Sequence, residues 1–125
     1  KLSPDDAKVF YNLGLAKESV LGDSASDVQA YDPVIDAYSK AVALDKESSD
    51  YQFRLGNAYE QAVRSIYTKT AGNEALSAKA LEYLEKAKAA YLSANSDIGR
   101  ERTAGVDQMI ENIKNPQIIE EEVTE

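Results

Sequence analysis

The chain has 125 residues, 43% of them hydrophobic and 29% charged, with a net charge of −8 and a pI near 4.6. It contains neither Cys nor His, which leaves no disulfide framework, thiol nucleophile or zinc-finger spacing and removes the commonest general base and metal ligand together. The negative charge repels phosphate backbones and anionic lipid surfaces, so nucleic acid is not expected as a partner, and no apolar run approaches the ~18 residues of a membrane span.

This size fits one domain with a modest core. A start at Lys1 rather than Met is expected of a processed or trimmed chain, from which any leader or anchor would already be gone. Ser3-Pro4-Asp5-Asp6 opens the first helix: Ser3 can cap, Pro4 suits the first helical position, and the two Asp sit at the positive end of the dipole. Val9, Phe10, Leu13, Ala16, Val20 and Leu21 follow at helical spacing and predict its buried face. Gly22 should end this helix, and Asp23-Ser24-Ala25-Ser26-Asp27 reads as loop. Asp32-Pro33 starts the second helix, which carries Val34, Ile35, Tyr38, Ala41, Val42 and Leu44. Ser48-Ser49-Asp50 caps a third, with Tyr51, Leu55, Ala58, Tyr59, Ala62, Val63 and Ile66 on its stripe. That helix is expected to reach Thr70, where Ala71-Gly72-Asn73 breaks it. The fourth begins near Glu74, carries Leu76, Ala80, Leu81, Leu84, Ala87 and Tyr91, and stops at Asn95-Ser96. Asp97 is the expected cap of the fifth, whose apolar side is Ala104, Val106, Met109, Ile110 and Ile113. Asn115-Pro116 ends it, because the residue before Pro avoids the helical region. Gln117-Ile118-Ile119 is too short to anchor a sheet, and residues 115–125, with Glu120, Glu121, Glu122 and Glu125, read as an acidic mobile tail. The expected fold class is all-α.

Two segments repeat one pattern: Tyr11-Asn12-Leu13-Gly14, and Phe53-Arg54-Leu55-Gly56-Asn57-Ala58-Tyr59. Gly inside a helix is less favourable than Ala by roughly 1 kcal/mol, so two at matching places imply close approach of another helix. The paired segments resemble tetratricopeptide (TPR) repeats. Leu13 and Gly14 match the family's first helix, and Tyr38 and Ala41 its second, within Pro33-Val34-Ile35-Asp36-Ala37-Tyr38-Ser39-Lys40-Ala41-Val42-Ala43-Leu44-Asp45. In the second pair Leu55, Gly56 and Tyr59 match the first helix, and Ala80, Leu84 and Ala87 the second. The two Leu-Gly steps lie 42 residues apart, longer than the ~34 of the family, and the second pair is expected to lengthen both of its helices. Lys46 stands where the family has Pro, and the first-helix Trp is missing. The resemblance implies a short right-handed superhelix of about five helices: repeat one over about 4–45, repeat two over about 49–94, and a capping helix over about 97–114.

It further implies a protein–protein interaction module whose first helices line a concave groove. The matching groove positions are Lys8, Tyr11, Leu15 and Glu18, then Phe53, Asn57 and Glu60, a mixture of aromatic and polar groups that suits a short peptide. The subclass that clamps acidic chaperone tails is not matched, since Leu15 replaces its Asn and Tyr11 its Lys. The alternative is a structural subunit that self-associates or docks through its helix faces. The tyrosines sit mostly at packing positions, which favours core over a ligand cage. No carboxylate group follows the calcium-loop pattern, and neither a Gly-rich phosphate loop nor a Gly-x-Ser-x-Gly turn occurs. No enzymatic activity, metal or cofactor is expected.

Overall fold

A computed structural model describes residues 4–21 and 28–115. Among these residues every regular element is helical: α1 (Pro4–Leu21), α2 (Asp32–Leu44), α3 (Ser49–Arg64), α4 (Glu74–Ala94) and α5 (Asp97–Lys114). Short 3₁₀ turns at Val28–Tyr31 and Tyr67–Lys69 complete the set. The expected Ser3 cap, the 23–27 loop and the tail beyond Asn115 lie outside the described residues.

The helix boundaries follow local chemistry. The Ser48 hydroxyl accepts from the Tyr51 amide at 3.2 Å, and the Asn73 side chain accepts from the Leu76 amide at 3.0 Å, so α3 and α4 each begin on a side-chain cap. Asn95 closes α4 in the left-handed conformation at φ 51°, as a C-terminal stop does. Ser96, not Asp97, caps α5 by accepting from the Gly99 amide at 3.1 Å. Asp97 instead pairs with Arg100 at 2.6 Å. Helix α3 stops at Arg64, short of the expected Thr70. The Ser65 hydroxyl takes the Ala62 carbonyl at 2.7 Å and Thr70 Oγ1 takes the Tyr67 carbonyl at 2.8 Å. Backbone bonds there shift to the tighter three-residue step, as from Ile66 to Val63 and from Lys69 to Ile66.

Consecutive helices pack antiparallel. Along α1 and α2, Phe10 meets Lys40 and Gly14 meets Tyr38. Along α3 and α4, Ser49 bonds the Ala94 carbonyl, Gly56 meets Tyr91, and Tyr59 packs edge-on against Tyr83 at 5.5 Å. Side chains also join alternate helices. Tyr11 stacks on Tyr51 of α3 at 4.7 Å, Arg102 of α5 lies over Phe53 of α3, and Tyr83 of α4 donates to Asp32 of α2 at 2.6 Å. The helices therefore form two layers, α1, α3 and α5 in one and α2 and α4 in the other. The core between them holds Val34, Tyr38, Val63, Ile66, Leu84, Tyr91 and Val106, all but sealed from solvent, and Ala41, Ala58, Ala62, Ala80 and Ala87 stand at the crossings.

Two sequence expectations change. The extra length of the second hairpin falls on α4 alone, at 21 residues against 13 in α2, while α3 with 16 is shorter than α1 with 18. Helix α1 is also rotated from the expected orientation. Ala7, Tyr11, Gly14 and Glu18 face the fold, whereas Val9, Leu13, Ala16 and Val20 face solvent. An aromatic, a glycine and a carboxylate give a weaker apolar signal than Val and Leu, yet they match what α2 offers.

Both glycines sit at close crossings. A Cβ on Gly14 would lie 2.5 Å from the Tyr38 ring, and one on Gly56 would lie 2.8 Å from the Tyr91 ring and 3.1 Å from the Ala87 carbonyl. A Cβ on Gly105 of α5 would touch nothing. We expect Gly56→Leu to lower stability by about 1–3 kcal/mol through overpacking and Gly105→Ala to raise it by up to about 1 kcal/mol through helix propensity. Denaturant melts of the two variants check this. Equal effects would mean that the crossing has no steric demand.

Candidate functional site

The candidate groove residues gather into two clusters of one design. In the first hairpin the Tyr38 ring lies over Gly14, and its hydroxyl donates to Glu18 Oε1 at 2.6 Å. In the second the Tyr91 ring lies over Gly56, and its hydroxyl donates to Glu60 Oε1 at 2.6 Å. The acceptor comes four residues after the glycine in both, one turn further along the same helix face. An aromatic three residues before the glycine completes each cluster: Tyr11 packs on Tyr38 at 5.8 Å and Phe53 on Tyr91 at 5.4 Å. The next helix of the layer then supplies an arginine. Arg54 of α3 lies within the field of Tyr11 and Glu18, and Arg102 of α5 covers the Phe53 ring at 5.7 Å and approaches Glu60 at 3.6 Å.

Glu60 is the more deeply held carboxylate, at 1% exposure. Arg64 approaches its Oε2 with two nitrogens, at 2.7 and 2.6 Å, while Tyr91 and Arg102 share Oε1. A buried carboxylate needs this much compensation. Burial first, and then the hydrogen bond to Glu18 or Glu60, pushes the Tyr38 and Tyr91 hydroxyls well above the usual tyrosine value. Burial and a bond to Asp32 do the same for Tyr83. The nearby Asn57 amide pulls Tyr91 the other way, because it favours the phenolate.

Of the seven candidate residues, Tyr11 and Glu18 enter the first cluster, and Phe53, Asn57 and Glu60 the second. Leu15 is half-buried against the core, and Lys8 is exposed. Tyr51, Arg54, Arg64 and Arg102 were not read as site residues, yet all four belong to this surface. The signal for Glu60 was present as Arg64 one turn later, and the signal for the clusters as a Glu four residues after each glycine. The counterpart of Tyr38 in the second hairpin is Tyr91 rather than Leu84. Tyr and Glu are 20 positions apart in the first hairpin and 31 in the second, which hides the equivalence from alignment.

The face of α1, α3 and α5 is thus half-buried aromatic and polar surface, with Glu60 neutralised by the arginines around it. That carboxylate is engaged by two arginines and a hydroxyl. Among the described residues no group of three Asp or Glu is placed to share a metal ion, and no described helix is long and apolar enough to cross a membrane.

No family model matches the chain, and neither a curated protein nor a solved structure matches it.

Two measurements check the clusters. Glu60→Ala leaves the buried Tyr91 hydroxyl without its acceptor and should lower stability by about 1–3 kcal/mol, partly recovered when Tyr91→Phe is added. The tyrosines should also divide on alkaline titration. Tyr38, Tyr83 and Tyr91 hold their protons more tightly folded than unfolded, so stability is intact below about pH 10 and declines as the pH rises beyond it. Phenolate absorbance followed alongside circular dichroism should show these three of the eight tyrosines ionising only as the helices melt. All eight titrating together in the folded protein would contradict the clusters.

Proposed function

We propose that this chain is a protein-interaction module of the TPR type, two stacked hairpins and a capping helix arranged as a short superhelix, that holds a partner segment against the face formed by α1, α3 and α5. One observation carries the reading. Tyr11 packs on Tyr51 between α1 and α3, and the half-buried Phe53 lies under Arg102, which Glu60 holds in place. Rigid aromatic and arginine side chains fixed before binding are the groups that concentrate contact energy, since little conformational freedom remains to be lost.

Three of the four arginines of this acidic chain, Arg54, Arg64 and Arg102, touch the two clusters. Arg64 and Arg102 are paired with Glu60, so the face is not strongly basic. That balance suits a mixed apolar and polar segment with backbone groups to satisfy, and does not suit a run of acidic residues. Lys8, Leu15 and Asn57 lie on the same helices and give the face side chains able to choose among partners.

The test is a peptide selected from a displayed random library against the folded protein, followed by amide chemical-shift mapping. Shifts are expected to centre on Leu15, Tyr51, Phe53 and Arg54, and Tyr51→Ala should weaken binding about tenfold or more, the loss of an anchor worth over 1.4 kcal/mol. Shifts centred on the outward side of α2 and α4, with Tyr51→Ala binding as the parent does, would refute the groove reading.

A further inference from the structure

The side of α1 turned away from α3 carries apolar side chains with open space over them. Val9, Leu13 and Val20 are 61%, 43% and 87% exposed, and Ala16 between them is exposed as well. Steps of four, three and four residues make these positions one seam of the kind along which two helices pair. The opposite side of α1, with Ala7, Tyr11, Gly14 and Glu18, fastens the helix to the fold, so the seam is left over from folding rather than used by it. Contiguous exposed apolar surface of this sort marks an interaction site.

We propose that the seam receives a second copy of this chain, the two α1 helices running antiparallel about a two-fold axis that passes between Gly14 and Leu15. The sequence is self-complementary in that register. Val9 faces the partner's Val20, and Leu13 faces the partner's Ala16, so each inner layer sets a large side chain against a small one. Parallel pairing would put Leu on Leu and Ala on Ala, crowding one layer and leaving a void in the next. The flanks agree with the antiparallel choice: Phe10 comes to the partner's Lys17, a ring and a cation, and Asn12 to the partner's Ser19, two neutral polar groups. No carboxylate lies on the seam or beside it between Val9 and Val20, although the chain carries 22 acidic residues and a net charge of −8. Two copies can therefore meet here without like charges in contact.

The ground beside the seam fits the same occupant. A cavity of about 390 Å³ opens between α1 and the start of α2, lined by Ala16, Lys17, Val20, Leu21, Pro33 and Val34. The register brings the partner's Phe10 to Lys17, at the mouth of this cavity. An isologous contact uses each patch twice, so both cavities are covered at once. The seam is only about 16 Å long at 1.5 Å per residue, below what permanent dimers bury, and the dimer is reversible. This inference is independent of the groove reading, since it rests on the opposite side of α1 and is read by a different measurement.

Sedimentation equilibrium of the full chain, in salt sufficient to screen its charge, should give a concentration-dependent monomer–dimer equilibrium. Leu13→Glu together with Val20→Glu should leave only monomer while the helix signal and melting temperature of dilute protein stay parental, because both side chains are exposed in the monomer. The absence of Cys permits a register test. An equimolar mixture of Val9→Cys and Val20→Cys proteins should oxidise to a covalent heterodimer, and neither should cross-link with itself. A monomer at every concentration, a dimer that survives the double Glu substitution, or Val9→Cys cross-linking with itself as readily as with Val20→Cys would each overturn the proposal, and the first would leave the seam to a different partner.

Discussion

A tyrosine laid over a glycine, with its hydroxyl on a glutamate one turn away, is the contact on which the rest of this structure depends. It fixes three things together. The missing Cβ at Gly14 or Gly56 sets how closely the paired helices approach. The ring fills the space so opened, and the hydrogen bond to Glu18 or Glu60 fixes how the helices are turned about their axes. Apolar contact alone would fix the first two only, because burial is nearly indifferent to rotation. The 2.6 Å bond to a carboxylate is directional, and it explains why α1 presents Tyr11 and Glu18 inward and leaves Val9, Leu13 and Val20 outside.

The same contact couples one hairpin to the next. Glu60 would be an expensive group to bury on a tyrosine alone, and Arg64 and Arg102 offset it. Arg102 belongs to α5, so capping the second hairpin and neutralising its carboxylate are one event. Arg54 of α3 stands beside the first hairpin, within the field of Tyr11 and Glu18. The layer of α1, α3 and α5 is held by charge and aromatic stacking, whereas the interior between the layers is held by Ala and aliphatic packing. A surface ordered in this way is firm without being sealed.

Much of this was legible in the sequence. Pro33, Ser48, Asn73 and Asn95 mark helix ends by chemistry that acts within a few residues, and five helices follow from them. Gly14 and Gly56 announced their crossings because a helical glycine needs a tertiary reason. The rotation of α1 was not legible. Hydrophobic periodicity weighs Val9, Leu13 and Val20 above Tyr11 and Glu18, and it cannot register that a tyrosine across the gap supplies the donor that makes a carboxylate welcome. The end of α3 was hidden for a related reason. Ile66 and Tyr67 continue the apolar stripe, but Ser65 and Thr70 bond back to the carbonyls of Ala62 and Tyr67 and tighten the backbone. The inward role of Glu60 was not legible, since the two arginines and the tyrosine that enclose it come from three different helices.

The unequal hairpins carry one more implication. Separation along the chain between the tyrosine and its glutamate grows from 20 residues to 31, a gain of about three full turns of helix, and α4 absorbs it. A gain of whole turns returns the same side of the helix to its partner, so Tyr91 arrives over Gly56 as Tyr38 does over Gly14. Length in this architecture is therefore quantised. A hairpin can grow by a step near the helical repeat and keep its lock, and the added turns project past the paired helix as new surface. Here that projection, with the 3₁₀ turn at Tyr67–Lys69 and the end of α5, encloses a recess of about 810 Å³, so the second hairpin gained a feature of shape without disturbing the geometry it shares with the first.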